Sequence, residues 1–304
     1  MFKLSVVICT YNPKPTNLKR CLDAILIASD SWKPSEIIIV DNNSTSPVQN
    51  LINEWLMHHS FDVLFEAKPG LTNARLAGIS QSKGDWILFV DDDNVIDSNF
   101  FVELEKIIKE FPNIGCLSGQ VHLEFEINPP AKLIPYLGLL VSREIKENSW
   151  SNNYFLSDSM PSGAGLAVKR NVGNYYLQLH NNDKRPLTLD RTGDSLLSGG
   201  DNDLSLCAID QGMGIGVFKD LHLQHLIPAY RLNLNYLLKL NYWIEASAVI
   251  LRKYRNLPEE SNGLSSKLKT LYHLIFKNHI DRQFHWSTIA GNNRGKKIVK
   301  EFNL

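Results

Sequence analysis

The first half of the chain alternates between two periodicities, and that constrains its fold more than any other feature. Short β-branched runs at Lys3 to Thr10, Glu36 to Val40, Asp62 to Glu66 and Trp86 to Val90 are separated by segments with helical spacing. Those segments are Asn17 to Ala28, Val48 to His59, Leu71 to Gln81 and Ser98 to Glu110. Strands alternating with helices predict a parallel sheet with helices on both faces. Runs such as IIIV and WILFV, apolar at every position, suit strands covered on both sides. Ligands of such sheets bind beyond the carboxyl ends of the strands, so the residues just after each strand are the ones to inspect.

Cap residues are expected at Thr16 or Asn17 and at Asp97 or Ser98. Beyond Glu110 the pattern predicts strand over Ile114 to Phe125, a long irregular excursion over Glu126 to Asp158, and a short strand over Gly163 to Lys169. It then predicts a polar loop over Asn181 to Ser198, a helix over Asp203 to Gln211 and a strand over Gly214 to Asp220. Asn235 to Arg255 and Leu264 to His279 read as terminal helices.

The 304 residues carry 32 Lys+Arg and 32 Asp+Glu, a formal net charge of zero, which argues against a dedicated nucleic-acid binder. Neutrality hides an asymmetry. From Arg252 to Leu304 there are 11 Lys+Arg and 4 Asp+Glu, about +7, which leaves about −7 on the rest of the chain. Cys9, Cys21, Cys116 and Cys207 have no paired spacing and lie in apolar surroundings, as expected of free thiols in a reducing compartment. No signal peptide is read at the N-terminus, and the apolar stretch Tyr236 to Leu251 is interrupted by Lys239 and Glu245. A cytoplasmic protein is therefore expected.

Val90-Asp91-Asp92-Asp93-Asn94 closes the WILFV strand. In an extended segment Asp91 and Asp93 share one face and Asp92 points away. Adjacent carboxylates repel, and this sequence reads either as an acidic turn with helix-capping aspartates or as oxygen ligands for Mg²⁺ or Mn²⁺. Thr10-Tyr11-Asn12 and Asp41-Asn42-Asn43-Ser44-Thr45 follow the first and second strands and open on the same sheet edge. Taken alone, each is also ordinary turn chemistry.

SVVICTYNP, IIIVDNNST, KPGLTNARLAGI, GDWILFVDDDN, PSGAGLAVKR, SGGDNDLSL and HLIPAYR, in this order, resemble the family 2 glycosyltransferases over about residues 3 to 255. The resemblance implies the GT-A fold: a Rossmann-like, mostly parallel central sheet flanked by helices. Residues 1–230 would form the nucleotide-sugar-binding and catalytic domain, and 231–304 a basic helical extension. It also implies inverting, metal-dependent transfer of a sugar from a nucleoside-diphosphate sugar, with a UDP-sugar favoured, to an acceptor hydroxyl. The acceptor would be a saccharide or lipid-linked saccharide in surface polysaccharide or glycolipid assembly.

Residue by residue, Thr10, Tyr11, Asn12 and Asp41 match the pocket for base and ribose. Asn73 and Arg75 match the segment lining nucleotide and diphosphate, to which Asp92 is added; a guanidinium fork suits phosphate oxygens. Asp91 and Asp93 match the D-x-D motif for Mn²⁺ or Mg²⁺, and His225 in HLIP matches a histidine near metal or diphosphate. Arg231 matches a later diphosphate-facing arginine. Asp201 matches the catalytic base of a Glu-Asp pair whose Glu position is here Gly200. The bland reading of Asp201 and Asp203 is helix capping. Asp203, Gly163 and Gly165 are further donor- or acceptor-site candidates, whereas His222 reads as structural.

Leu264, Leu268, Leu271 and Ile275 with Lys267, Lys269 and Lys277 form a basic amphipathic stripe, which suits either peripheral membrane contact or docking on protein. Two other classes are open: a nucleotidyltransferase of similar sheet, for which TYNPKP lacks the usual basic Gly-rich loop, and a non-catalytic sugar-nucleotide-binding scaffold.

Overall fold

The computed structural model describes residues 2–154, 158–191, 196–258, 272 and 276–304. Its first half bears out the alternation: β1 (Leu4–Thr10), α1 (Pro15–Ser31), β2 (Glu36–Asp41), α2 (Gln49–His58), β3 (Asp62–Phe65), α3 (Leu71–Gln81) and β4 (Trp86–Asp91) follow in turn. Next come β5 (Asn94–Ile96), α4 (Phe100–Glu110), β6 (Ile114–Phe125), a 3₁₀ segment (Ala131–Leu140), β7 (Ser149–Ser151), β8 (Leu166–Lys169) and α5 (Arg170–Asn181). α6 (Gly200–Asp210), β9 (Gly214–Ile227), α7 (Leu234–Tyr254) and α8 (His279–Glu301) complete the described elements.

The strands form one mixed sheet in the order β3-β2-β1-β4-β8-β6-β9-β5, with β7 on β9. β1 to β4 are mutually parallel. β8 runs against both β4 and β6, and β6 is parallel to β9. The apolar runs behave as expected of strands covered twice. Leu4, Val6 and Ile8 enter one core while Val7 and Cys9 enter the other, and Trp86, Leu88 and Val90 alternate in the same way with Ile87 and Phe89.

Several expectations need correcting. α1 is entered at Lys14 with Pro15 in its first turn, without a side-chain cap from Thr16 or Asn17. α4 is entered at Asn99, and Asp97 instead accepts from the Asn99 backbone N–H at 2.9 Å. α6 begins three residues before the expected Asp203, which brings Asp201 into its first turn. β9 runs on from Asp220 to Ile227 and so includes His222 and His225. The irregular excursion holds both the 3₁₀ segment and β7.

α7 and α8 lie against each other so closely that a Cβ on Gly291 would meet Tyr242 O at 2.2 Å, and one on Gly295 would meet Ala246 O at 2.7 Å. Ala246, Ile250 and Leu251 of α7, with Ile298 of α8, join the core on the α6 side of the sheet. The stripe Leu264, Leu268, Leu271 and Ile275, with Lys267 and Lys269, lies outside the described residues. Among the described residues no helix is long and apolar enough to cross a membrane. All four cysteines are free and buried.

Candidate active site

The strand order reverses between β1 and β4, and a crevice opens there at the carboxyl ends of the two strands. Because β8 is antiparallel to β4, the turn preceding it, with Gly163 and Ala164, reaches the same edge. β9 ends on that edge too, and its His225 pairs in register with Asn94 of β5. The result is a cavity of about 410 Å³ walled by residues at the ends of β1 and β4, from the turn before β8 and from β9.

One wall comes from the β4–β5 turn. Asp92 and Asp93 lie in a tight turn between the two strands, so strict strand alternation fails here and all three aspartates line the cavity. Asp92, expected to point away, accepts a hydrogen bond from Thr10 Oγ1 across the crevice. Burial raises the Asp91 carboxyl to about 6, with Arg75 opposing the rise and Asp93 adding to it. Burial and then Asp93 raise Asp92 to about 7, against the Thr10 hydrogen bond. Burial also opposes ionisation of Asp93, but the hydrogen bond and charge of His225, with Arg231 and Arg191, hold this carboxyl below its ordinary value.

His225 is oriented from behind. Its Nδ1 lies 3.1 Å from Leu140 O and therefore carries a proton, so Nε2 donates to Asp93 in the imidazolium form and offers its lone pair to a cation once that second proton has left. Nε2 faces Asp93 Oδ2 at 3.4 Å and Arg231 at 3.4 Å, and Arg231 approaches the same carboxylate at 3.6 Å. A ligating imidazole is commonly held through its other nitrogen in this way. Among the described residues no three His, Cys, Asp or Glu side chains already converge as a cation cage. The donor set of Asp91, Asp93 and His225 suits an Mg²⁺- or Mn²⁺-like ion that takes its remaining ligands from diphosphate and water.

The opposite wall is built on Arg75, Gly163 and Asp201. Arg75 is 3% exposed, lies 3.9 Å from Asp91 Oδ1, and its Nε has no hydrogen-bond partner among the described residues. Burial disfavours its charge, yet Asp91, Asp190 and Asp201 more than compensate, so the guanidinium is held charged. A Cβ on Gly163 would meet Asp201 Oδ2 at 2.8 Å and Arg75 at 3.0 Å, so only a glycine leaves these two groups room beside the backbone. Asp201 Oδ1 accepts from the Asn202 backbone N–H at 2.9 Å.

Of the remaining candidates, Tyr11 lines the cavity with 59% of its surface exposed, and Thr10 and Arg231 line it as well. Five candidates are placed off its wall. Asn12 braces Ser44 and Thr45, and buried Asp41 accepts from the backbone N–H groups of Ser44 and Val48, each at 2.9 Å. Asn73 donates to Pro69 O at 2.8 Å. Gly165 adopts φ +67°, and a Cβ there would meet Leu223 at 2.6 Å, so its role is backbone conformation. Asp203 is 2% exposed and bound by Arg185 at 2.7 Å and Arg255 at 2.6 Å, which corrects its assignment to the donor or acceptor site.

The sequence reading expects donor discrimination in the region Glu126 to Asp158 and in the polar loop near Asp190, but it names neither Asp190 nor Arg191 as a wall residue and gives Asn42 no role beyond turn chemistry. Asn42 ties the loop after β2 to the loop between β3 and α3, donating to Glu66 O and Lys68 O and accepting from the Gly70 N–H. Its position after β2 was the available signal. Asp190 and Arg191 lie in the polar loop, where nothing local marks them.

Residues 5–152 match the model of glycosyl transferase family 2. Glycosyltransferase GlyA of Streptococcus pneumoniae is 30% identical over 110 residues, covering 36% of this chain and 15% of that protein. The cholesterol galactosyltransferase of Borreliella burgdorferi is 28% identical over 138 residues, covering 44% and 37%. The poly(ribitol-phosphate) beta-glucosyltransferase of Bacillus spizizenii is 31% identical over 123 residues, covering 38% and 19%. The chain thus spans only 15 to 37% of the length of these relatives. The crystal structure of residues 1–349 of S. aureus TarS superposes with a TM-score of 0.50 at 15% identity, covering 99% of this chain and 91% of that one. That likeness shows the fold, a central mixed sheet flanked by helices with a C-terminal helical part, as in GT-A proteins. The strand–helix alternation and the carboxyl ends of β1, β2 and β4 fall inside the matched segment, so residues 5–152 of the chain are a glycosyl transferase family 2 segment.

Proposed function

We propose that the chain is an inverting glycosyltransferase that moves a sugar from a nucleoside-diphosphate sugar, with UDP favoured, to a hydroxyl of a saccharide or lipid-linked saccharide. The observation that carries the reading is the two-walled cavity: Asp91, Asp93, His225 and Arg231 face Arg75, Gly163 and Asp201. Carboxylates with an imidazole and an arginine suit a diphosphate with its cation, and the opposite wall offers one carboxylate beside a buried guanidinium. Thr10 and exposed Tyr11 lie where a base and ribose would rest.

Asp91, Asp93 and His225 would hold Mn²⁺ or Mg²⁺, which when bound supplies Lewis-acid stabilisation of the charge on the departing diphosphate. Arg231 adds a second positive charge beside Asp93, and Arg75 is positioned between Asp91 and Asp201. Asp201 accepts the proton of the acceptor hydroxyl. As that oxygen bonds to the anomeric carbon, the bond from carbon to the diphosphate oxygen breaks, and the diphosphate keeps the electron pair. Attack opposite the leaving group inverts the centre, giving a β-linkage from an α-linked donor.

Residues 1–230 would carry this chemistry, and the basic segment 231–304 would face a lipid-linked acceptor. Tail-dependent pelleting with anionic vesicles at low salt is the expected result of that contact, and its absence ends the idea. The central experiment incubates the protein with Mn²⁺, sugar nucleotides and candidate acceptors. Nucleoside diphosphate is the expected product; pyrophosphate would point to a nucleotidyltransferase, and no turnover with tight binding to a scaffold. A thermal-shift panel of UDP, GDP, dTDP and CMP identifies the base, since a ligand at 100 times its Kd stabilises by about 2.7 kcal/mol.

A further inference from the structure

Asp190 belongs to the loop before α6 and has been given no role so far. It is 6% exposed, lines the cavity, and accepts a hydrogen bond from Thr72 Oγ1 on α3. Its loop is pinned to the start of α6: the Gly199 and Gly200 N–H groups both donate to Leu189 O, at 2.9 and 3.1 Å. A buried carboxylate is costly unless its acceptor capacity is used, and among the described residues one hydroxyl is its only hydrogen-bond donor. The charges that act on it are Arg75, whose Nε also lacks a partner among the described residues, then Asp201 and Arg191.

Residue 200 explains how the carboxylate gets there. A Cβ on Gly200 would meet Asp190 Oδ2 at 2.7 Å and Oδ1 at 2.9 Å, closer than a carbon tolerates. Gly200 is not among the residues with positive φ, and it opens a helix in which alanine would be favoured. A side chain at residue 200 would therefore push the Asp190 carboxylate out of this position. Gly200 also directly precedes Asp201, so the Asp190 carboxylate sits beside the proposed base and shares Arg75 with it.

We propose that Asp190 is a specificity-determining residue that accepts hydrogen bonds from hydroxyl groups of the transferred sugar, and that Gly200 is required because it leaves the space this carboxylate occupies. A carboxylate offers two oxygens to a pair of neighbouring hydroxyls, while Arg75 balances its charge. The proposal rests on the sugar-nucleotide reading above. In that reading the nucleoside and diphosphate would rest on Thr10, Tyr11 and Arg231, which leaves Asp190 to the sugar.

The test uses the full chain with Mn²⁺ and two matched series. One is free UDP and GDP; the other is UDP-glucose, UDP-galactose, UDP-N-acetylglucosamine, UDP-N-acetylgalactosamine and GDP-mannose, scored by Kd and by release of nucleoside diphosphate to water. Asp190→Ala is expected to leave the Kd of free nucleoside diphosphate within about twofold. It is expected to lower kcat/KM for the preferred sugar nucleotide by about 10- to 100-fold, the range for a hydrogen bond to a charged group. Asp190→Asn, which keeps one acceptor oxygen, is expected to lie between.

Gly200→Ala should reproduce the loss in the wild-type background and add less than about twofold in the Asp190→Ala background. A merely structural role would weaken free nucleotide and sugar nucleotide equally. Retention of the wild-type preference for sugar nucleotide in Asp190→Ala, or an equal cost of Gly200→Ala in both backgrounds, overturns this proposal alone. If the wild-type protein binds no member of either series, the sugar-nucleotide reading falls and takes this one with it.

Discussion

Asp201 and Asp203 stand two residues apart in the first turn of α6 and inhabit opposite environments. Asp203 is bound through both oxygens by Arg185 and by Arg255, whose other nitrogen binds Asp210. Asp201 receives one backbone N–H from its neighbour and turns its second oxygen toward the cavity beside Gly163. The two carboxylates share a helix turn and a charge, but one has its acceptor capacity filled by protein and the other keeps it for a ligand. Helical geometry alone accounts for the split, since residues two apart lie on different faces. Consequently the change with the largest expected effect is Asp201→Asn: sugar transfer falls by about 10²- to 10⁴-fold, while thermal stability and nucleotide binding stay at wild-type values. Near-normal release of nucleoside diphosphate in this variant removes Asp201 as the base and erases the contrast.

Asp203→Ala is the reciprocal change. It leaves two buried guanidinium groups without their shared counter-ion, and breaking one side of such a cluster costs about 3 to 5 kcal/mol. Urea unfolding should show this as a lower midpoint, with the sugar-nucleotide preference of the remaining folded protein unchanged. A loss below about 1 kcal/mol would mean that Asp210 alone suffices for the arginines and that the cluster is not what holds α7 against α6.

The fates of these two residues mark how far the sequence could be read. The boundaries of β1, β2 and β4 fall within a residue of their apolar runs, because strands buried on both faces leave few polar positions to blur them, and those of the half-exposed edge strand β3 do so as well. α3 matches residue for residue. β5 escaped because three residues after an acidic turn carry no period, and α8 because His279–Glu301 is polar on most of its surface and interrupted by Gly291 and Gly295. At the site, residues directly after strands were legible because topology puts them at one edge. The partners of Asp203 lie 18 and 52 residues away, and Asp190 lies ten residues before the glycine that makes space for it. No local pattern encodes such pairings, so the sequence groups Asp203 with Asp201 and marks the polar loop near Asp190 without singling out its carboxylate.

The contrast between filled and open carboxylates sharpens further at His225. Its Nδ1 is committed to Leu140 O and its Nε2 faces Asp93. His225→Gln should therefore lower Mn²⁺ affinity by at least about tenfold, read from the cation-induced rise in melting temperature, without lowering the stability of the cation-free protein by more than about 1 kcal/mol. An unchanged Mn²⁺ response would leave Asp91 and Asp93 as the only protein ligands and place His225 with Arg231 on the diphosphate.

The smallest effect is a pH dependence, and its sign separates the two groups of carboxylates. In the cation-free protein burial raises Asp91 to about 6 and Asp92 to about 7, from an ordinary value of 3.8. Between about pH 4 and about pH 7 the folded chain therefore holds protons that the unfolded chain has released. Stability contributed by these groups is present at the acid end and is lost as pH rises through that window. A bound dication reverses the trend, because it requires the ionised carboxylates and must displace the protons. Mn²⁺ affinity is thus expected to rise by about tenfold for each proton displaced per pH unit and to level off near pH 7. Asp93, held below its ordinary value by His225 and Arg231, stays ionised throughout and adds nothing to the slope. Titration of Mn²⁺ against melting temperature at about pH 5 and about pH 7.5 reads the difference directly. An affinity that does not change with pH would mean that Asp91 and Asp92 are already ionised in the cation-free protein, with Arg75 rather than a proton balancing their charge.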